Sequence, residues 1–110
     1  MKTEKPWGYE DLMYVGKYAM KRLHIDAGKR TSLHVHAQKH ETMYVARGRA
    51  VMIIGDRTEI VEEGSWRRIE PGTQHRIAAT KTQSVDVIEA STPQLDDVLR
   101  VHDDYERDGK

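Results

Sequence analysis

The sequence predicts an all-β protein, folded as a sandwich or a closed barrel. Short runs of β-type residues recur along the chain and are separated by glycine and by charged turns. Between residues 9 and 90, no stretch keeps the apolar period of about 3.6 residues that marks an amphipathic helix. Many short strands at close spacing favour a sandwich or a closed barrel.

The predicted strands follow one another with only brief interruptions, since each run of β-type residues is bounded by turn residues. In chain order they are residues 10–15, 18–25, 31–36, 41–47, 50–54, 58–61, 65–69, 75–79 and 84–90. Residues 93–97 are then expected to form a helical turn. Residues 98–101 are expected to form a last extended piece.

Turn residues mark the breaks between these strands. In chain order the turns are Gly16-Lys17, residues 26–29, the loop 37–40, Gly48, Gly55-Asp56, Glu63-Gly64, residues 71–73 and residues 81–83. Gly55-Asp56 predicts a tight hairpin, because glycine tolerates the positive φ that such turns require.

The chain of 110 residues is expected to form one domain, because a chain of this size has little surface left to bury in a second core. Residues 1–9 are expected to be an N-terminal arm, and residues 95–110 an acidic tail. No window approaches the length of an apolar membrane span, and the N-terminus lacks the apolar segment of a signal peptide. A cytoplasmic protein is the expectation.

The composition argues against a general electrostatic binder. The 18 basic and 18 acidic side chains balance, so no net field attracts nucleic acid or anionic lipid. Cysteine is absent, which leaves histidine and carboxylate as the strong metal ligands available.

Histidines and a glutamate have the spacing of a metal site. His34 and His36 lie two positions apart on a predicted strand, so their side chains project from the same face. Glu41 opens the next strand, whose antiparallel return would bring its carboxylate beside them. His75, after a turn, could add a third imidazole from another strand. Such donors suit one divalent ion of zinc, manganese, iron, nickel or cobalt.

The stretch from Gly28 to Gly48 resembles the first motif of the cupin family. It reads glycine, five residues, His-x-His, four residues, glutamate, six residues, glycine, and it matches at every fixed position. Gly64, Gly72 and His75 resemble the second motif, which here has Glu70 in place of proline and Ala79 in place of asparagine. The resemblance implies a single-domain cupin barrel (double-stranded β-helix or jelly roll) and the same four metal ligands.

A narrower resemblance extends over nearly the whole chain. Residues 5–10 (KPWGYE), 18–23 (YAMKRL), 71–76 (PGTQHR) and 95–105 are similar to the type II phosphomannose isomerase domain. In that family the domain is often the C-terminal half of a bifunctional enzyme with mannose-1-phosphate guanylyltransferase. The resemblance implies a metal-dependent isomerase that interconverts mannose 6-phosphate and fructose 6-phosphate. Family members usually carry glutamine at the position of His34 and asparagine at that of Ala79.

Three further residues are candidates for catalysis or substrate binding. Lys21 and Glu89 lie on the mostly apolar faces of their predicted strands, and a buried charge is costly unless it is paired or used. A mutual salt bridge is the structural alternative. Arg76 follows His75 and would point the opposite way on an ideal strand, but its family counterpart is implicated in the sugar phosphate site. His40, next to Glu41, is expected either at the surface or in contact with the ligands without binding the metal itself.

Three functions remain open at this level. The first is an isomerase acting on a sugar or sugar phosphate, in which the metal polarises the substrate and a base moves a proton between C2 and C1. The second is a dioxygenase or decarboxylase, because three histidines and one glutamate are the general mononuclear cupin pattern. The third is a non-catalytic sugar-binding module. A homodimer paired through an edge strand is expected.

Overall fold

Two antiparallel sheets share one hydrophobic core. The computed structural model describes residues 1–94 and 96–105, which hold eleven strands and no helix, so the all-β prediction is confirmed. The strands are β1 (Lys2–Lys5), β2 (Gly8–Val15), β3 (Ala19–Ile25), β4 (Leu33–Val35), β5 (Glu41–Arg47), β6 (Ala50–Ile54), β7 (Arg57–Val61), β8 (Trp66–Ile69), β9 (His75–Ala79), β10 (Val85–Ser91) and β11 (Leu99–His102). Within this described part, no helix could cross a membrane.

The strand order brings distant parts of the chain together. One sheet has six strands in the order β1-β2-β3-β10-β5-β8, and the other has five in the order β11-β4-β9-β6-β7. Each pairing between these strands is antiparallel. Consequently β4 and β9 are neighbours in one sheet, while β5 and β10 are neighbours in the other.

Alternating residues of both sheets fill the core. Val85 and Val87 of β10 and Met52 of β6 are fully buried, with 0% exposure. Burying one such side chain contributes roughly 1.5–3 kcal/mol. The inward faces predicted for β3 and β10 are present, since Leu23 and Ile25 are also buried.

The N-terminal residues differ from the expected arm. β1 pairs with β2 in a hairpin whose register joins Lys5 to Gly8, and Trp7 in the turn is buried in the core at 5% exposure. At Gly8 the backbone passes so close to β3 that an added Cβ would lie 1.9 Å from the carbonyl oxygen of His24. Only glycine permits this approach, which the apolar pattern of the sequence does not reveal.

The helical turn expected at residues 93–97 is wrong for the described part of that segment. Residue 93 is a bend and residue 96 a turn, residues 94 and 97 have no regular structure, and Leu95 and residues 106–110 lie outside the described residues. The Asp97 carboxylate accepts hydrogen bonds from the backbone amides of residues 37–39. These contacts fasten Asp97 to the loop before β5.

Candidate metal centre

Three imidazoles meet inside the barrel. His34 on β4 is the register partner of His75 on β9, and His36 follows β4 on the same side. Ring centroids of His34 lie 4.3 Å from those of His75 and 5.0 Å from those of His36. One ring nitrogen from each of the three lies within 4.8 Å of the others, so these histidines could hold a metal ion.

Glu41 completes the cluster from the opposite sheet. It is the first residue of β5, and its side chain has no exposed surface. The Oε1 atom lies 3.0 Å from Nε2 of His75 and 3.3 Å from Nε2 of His36. Burial alone would raise the pKa of Glu41, but the two imidazoles and Lys39 outweigh it and hold that pKa well below its usual range. Glu41 is therefore a buried carboxylate.

Backbone carbonyls select the tautomer of each histidine. Nδ1 lies 2.9 Å from the Ser32 oxygen for His34, 2.5 Å from the Asp97 oxygen for His36, and 2.9 Å from the Thr73 oxygen for His75. A carbonyl oxygen only accepts, so each Nδ1 carries a proton and donates it. Whenever the ring is neutral, Nε2 is the nitrogen with the free lone pair, which is the arrangement of metal-bound histidine.

Burial keeps one of these rings neutral. It lowers the pKa of His34 to about 3, with a further lowering from His75. Near neutral pH the His34 ring therefore has an unprotonated nitrogen, as metal binding requires.

The donor atoms fit a transition metal. Both carboxylate oxygens of Glu41 and Nε2 of His75 are buried, and they have no hydrogen-bond partner in the described chain. Two donors that each lie about 2.1 Å from one cation are about 3.0 Å apart at octahedral angles and about 3.4 Å apart at tetrahedral angles. The contacts of Glu41 have this spacing, and a cation would satisfy the orphaned atoms. Nitrogen and oxygen donors of this kind suit zinc, manganese, iron, nickel or cobalt.

A cavity of about 140 Å³ opens onto the cluster. It is lined by Lys5, Trp7, Glu10, Lys21, Leu23, Thr31, Ser32, His34, His36, Lys39, Met43, His75, Ile77, Glu89, Val98 and Arg100. Apolar side chains thus form part of the wall, and several charges converge from both sheets. This combination of apolar walls and a few polar groups is typical of small-molecule sites.

Charged pairs lie beside the imidazoles in this cavity. Glu89 on β10 is 5% exposed, and its Oε2 lies 3.3 Å from Nζ of Lys39. Burial first, and then the charge of Glu41, raise the pKa of Glu89 above its ordinary value despite Lys39. Lys21 is the register partner of Glu89, but its Nζ lies 3.3 Å from Glu10 instead. The alternative of a mutual salt bridge between Lys21 and Glu89 is thus replaced by two separate pairs.

Two other sequence candidates lie away from the cavity. Arg76 is 5% exposed and points to the opposite side of β9 from His75, where its Nε donates to the Thr31 carbonyl oxygen at 2.9 Å. Arg76 does not line the cavity, and its role in a sugar phosphate site stays a prediction. His40 is exposed, and its Nδ1 lies 3.2 Å from Glu70, so it is a surface residue as expected.

The sequence-based reasoning missed Lys39. It lies in the loop 37–40, where no strand period indicates the direction of a side chain, yet it is only 3% exposed. Its one signal was position, two residues before Glu41 in the spacer of the first motif. The cavity contacts of Lys5, Glu10 and Arg100 were also unforeseen, because strands β1, β2 and β11 approach the cluster only after the sheets assemble.

Most of the chain matches a known domain family. The sequence model of the Cupin_2 family, described as a cupin domain, matches residues 21–91. The chain belongs to the cupin family. The double-stranded β-helix that the resemblance implied for this cupin is confirmed by the two antiparallel sheets.

Curated proteins related to this cupin are much longer than it is. A mannose-1-phosphate guanylyltransferase from Sinorhizobium fredii (strain NBRC 101917 / NGR234) is 30% identical over 104 residues, which are 91% of this chain and 20% of the relative. Alginate biosynthesis protein AlgA from Pseudomonas aeruginosa is 28% identical over 107 residues, 94% of this chain and 22% of the relative. The cupin therefore spans about a fifth of each of these relatives.

A solved structure shares the fold. KdgF from Halomonas sp. superposes with a TM-score of 0.79 at 17% identity, covering 88% of this chain and 89% of that chain. At this identity the likeness concerns the fold, and function has to be argued from the site.

Proposed function

We propose that this cupin is a metal-dependent aldose–ketose isomerase of sugar phosphates, with mannose 6-phosphate as the first substrate to test. The observation that carries the proposal is one cavity in which three histidines, a buried carboxylate and several cationic side chains meet, with Glu41 behind it against two of these histidines. The names of the guanylyltransferase relatives, which refer to a mannose phosphate, support this substrate class. Because the chain spans about a fifth of those relatives, their whole activity is not transferred.

The proposed ligands are His34, His36, Glu41 and His75. When bound, a divalent metal supplies positive charge that polarises the carbonyl and the adjacent hydroxyl oxygen of a sugar. The four side chains leave coordination positions for those oxygens whenever the ion takes more than four donors.

Glu89 is the proposed base. Aldose–ketose isomerisation removes the proton from C2 and delivers one to C1, while the hydroxyl proton passes from O2 to O1. A carboxylate with a raised pKa is well matched to taking and returning a carbon-bound proton, and Glu89 has such a pKa inside the cavity. Lys39, 3.3 Å away, stabilises its charged form. Lys21 is the second candidate for carrying a proton.

Cationic side chains provide the proposed phosphate site. Lys5, Lys21 and Arg100 line the same cavity as the imidazoles. Glu10 lies between the two lysines, 3.9 Å from Lys5 and 3.3 Å from Lys21, and keeps them together. Ammonium and guanidinium groups bind phosphate oxygens by charge-assisted hydrogen bonds.

The proposal is tested with mannose 6-phosphate in deuterium oxide. Protein loaded separately with zinc, manganese, iron, cobalt or nickel is followed by NMR for fructose 6-phosphate and for deuterium at C1 and C2. With the active metal, Glu89→Gln should lower the rate by about 100-fold or more, as expected for loss of a general base. Glu62→Gln, an exposed carboxylate, is the matched control and should not change it. No turnover with any metal would refute isomerase activity on mannose 6-phosphate, and turnover by an unimpaired Glu89→Gln variant would refute Glu89 as the base.

One observation favours a second candidate. His34 stands where the isomerase family usually has glutamine, and its ring joins the cluster 4.3 Å from His75. Three imidazoles and one carboxylate are the pattern of iron or manganese cupin dioxygenases and decarboxylases. Oxygen consumption or carbon dioxide release with a candidate acid or ketone would support this reading, and sugar binding without turnover would indicate a non-catalytic module.

A homodimer is proposed through the edge strand β8. Trp66 on this strand is 58% exposed, and its register partner Tyr44 is 43% exposed, so two large aromatic side chains are exposed at the edge of the sheet. Pairing of two copies would cover both. Sedimentation at micromolar concentration should give a dimer, and Trp66→Glu should shift it to a monomer. A monomeric wild type would contradict the proposal.

A further inference from the structure

The segment after β10 forms one wall of the metal centre. β11 pairs with β4 so that Arg100 is the register partner of His34 and Leu99 that of Val35. Val98 and Arg100 line the cavity. The end of this segment is fastened by Asp104, which accepts two hydrogen bonds from Arg30 at 2.7 and 2.9 Å. Residues 96–105, here called the C-terminal strap, thus lie across the edge of the site.

Asp97 on this strap contacts the site twice. Its backbone oxygen accepts the hydrogen bond from Nδ1 of His36. Its carboxylate accepts three backbone N–H bonds from the loop before Glu41: from Ala37 at 3.2 Å, Gln38 at 2.6 Å and Lys39 at 3.0 Å. The three amides converge on one carboxylate, which fixes the path of that loop.

The hydrogen bond from the Lys39 amide connects Asp97 to the charged side chains of the cavity. The Nζ atom of Lys39 lies 3.3 Å from Glu89 and 3.8 Å from Glu41, and the side chain is almost fully buried. A loop side chain reaches two buried carboxylates only if its backbone is held in place. The Asp97 carboxylate holds this backbone in place by accepting the hydrogen bond from the Lys39 amide.

We propose that Asp97 is a positioning residue of the metal centre, whose carbonyl holds His36 in the tautomer that ligates through Nε2 and whose carboxylate holds the loop that carries Lys39. The inference rests on the proposed metal centre. Partners that orient a ligating histidine from behind typically change metal affinity by roughly 10–100-fold when they are lost.

The first measurement uses the metal-free wild-type protein. Nitrogen NMR of ¹⁵N-labelled histidine at mildly alkaline pH distinguishes the two neutral tautomers. The neutral ring of His36 should carry its proton at Nδ1. A neutral wild-type His36 ring protonated at Nε2 instead would overturn the inference, and this measurement requires neither a variant nor a metal.

The second measurement compares variants of Asp97. Asp97→Ala removes all three amide contacts and frees the strap, so the second tautomer of His36 should appear and the dissociation constant for zinc or cobalt should rise by roughly 10–100-fold. Asp97→Asn keeps one acceptor oxygen and should fall between this variant and wild type. Asp96→Ala changes an exposed neighbour and is the matched control, with wild-type tautomer and affinity.

The outcomes separate the two proposals. Wild-type protein that binds none of the transition metals would overturn the proposed metal centre. In that case, the tautomer of His36 in the metal-free protein still tests whether Asp97 orients this ring. Metal binding in wild type with unchanged affinity and unchanged tautomer in both Asp97 variants would overturn the positioning role alone. Thermal unfolding of each variant establishes that it is folded before affinity is compared.

Discussion

Replacing Lys39 with methionine tests whether the charges behind the metal centre depend on one another. Lys39 is 3% exposed, and its ammonium lies 3.3 Å from Glu89 and 3.8 Å from Glu41. Methionine has a similar length but no charge, so packing is largely kept. In metal-free Lys39→Met protein, the buried carboxylates of Glu41 and Glu89 would lose the ammonium group that lies near both.

The expected loss of stability is large for a residue in a loop. With an effective dielectric constant of about 20, Coulomb's law gives roughly 5 kcal/mol for unit charges about 3.3 Å apart and roughly 4 kcal/mol at about 3.8 Å. Part of this attraction is offset because the ammonium no longer has to leave water. The free energy of unfolding should therefore fall by about 3–5 kcal/mol, as when one partner of a buried ion pair is removed.

Urea unfolding of the metal-free protein measures this difference, because a single domain of this size generally unfolds in two states. Adding Glu89→Gln to Lys39→Met removes the stranded charge and should recover most of the loss. Lys81→Met, at an exposed turn, is the matched control and should change stability by less than about 0.5 kcal/mol. A Lys39→Met variant within about 1 kcal/mol of wild type, or a double variant without recovery, would contradict the predicted coupling between Lys39 and the two carboxylates.

Three further predictions concern the ligands, a buried carboxylate and a turn. His36→Ala should lose the bound metal measured by elemental analysis after loading, whereas His40→Ala should keep it; equal retention would argue against the ligand set. Burial raises the pKa of Asp86, but hydrogen bonds from neighbouring arginine and histidine outweigh it and leave that pKa below its ordinary value. Its stabilising contribution is therefore present above the unfolded pKa of about 3.9 and is lost as pH falls through the folded pKa, so Asp86→Asn should lower stability by about 1–2 kcal/mol at neutral pH and have little effect in strong acid. A deficit that persists unchanged in acid would contradict this assignment. Gly48→Ala places a Cβ 2.7 Å from a backbone oxygen at a φ of 88°, and should cost about 1–3 kcal/mol more than Gly28→Ala, where φ is 76° but nothing lies within 4 Å. Thermal unfolding measures the pair, and equal losses would show that the clash is relieved without cost.

Local sequence signals located several strands closely. β5, β6 and β9 have the bounds that the sequence predicted, because each lies between turn residues and alternates inward and outward side chains. β3 differs from prediction by one residue at its start, and β10 is shifted by one residue at both ends. Such signals depend on neighbours in the chain, so they need no knowledge of the fold.

Contacts between distant segments were harder to predict from the sequence. The sequence predicted an N-terminal arm where the structure has a hairpin. The glycine at position 8 is required by the close approach of β3, and no apolar pattern in the sequence reveals that contact. Residues 93–97 have a composition compatible with a helical turn, yet Asp97 is hydrogen-bonded to the backbone amides of residues 37–39 instead. In both cases tertiary contacts override local preference.

The candidate ligands illustrate the same division. The all-β class and the candidate ligands His34, His36, Glu41 and His75 could be predicted from the sequence, because strand alternation and motif spacing depend on residues that are close together along the chain. The groups that surround these ligands depend on the tertiary structure. Lys39 meets Glu89 across 50 positions, and His36 meets Asp97 across 61. Such pairs arise from the register and packing of two sheets, which no local pattern encodes.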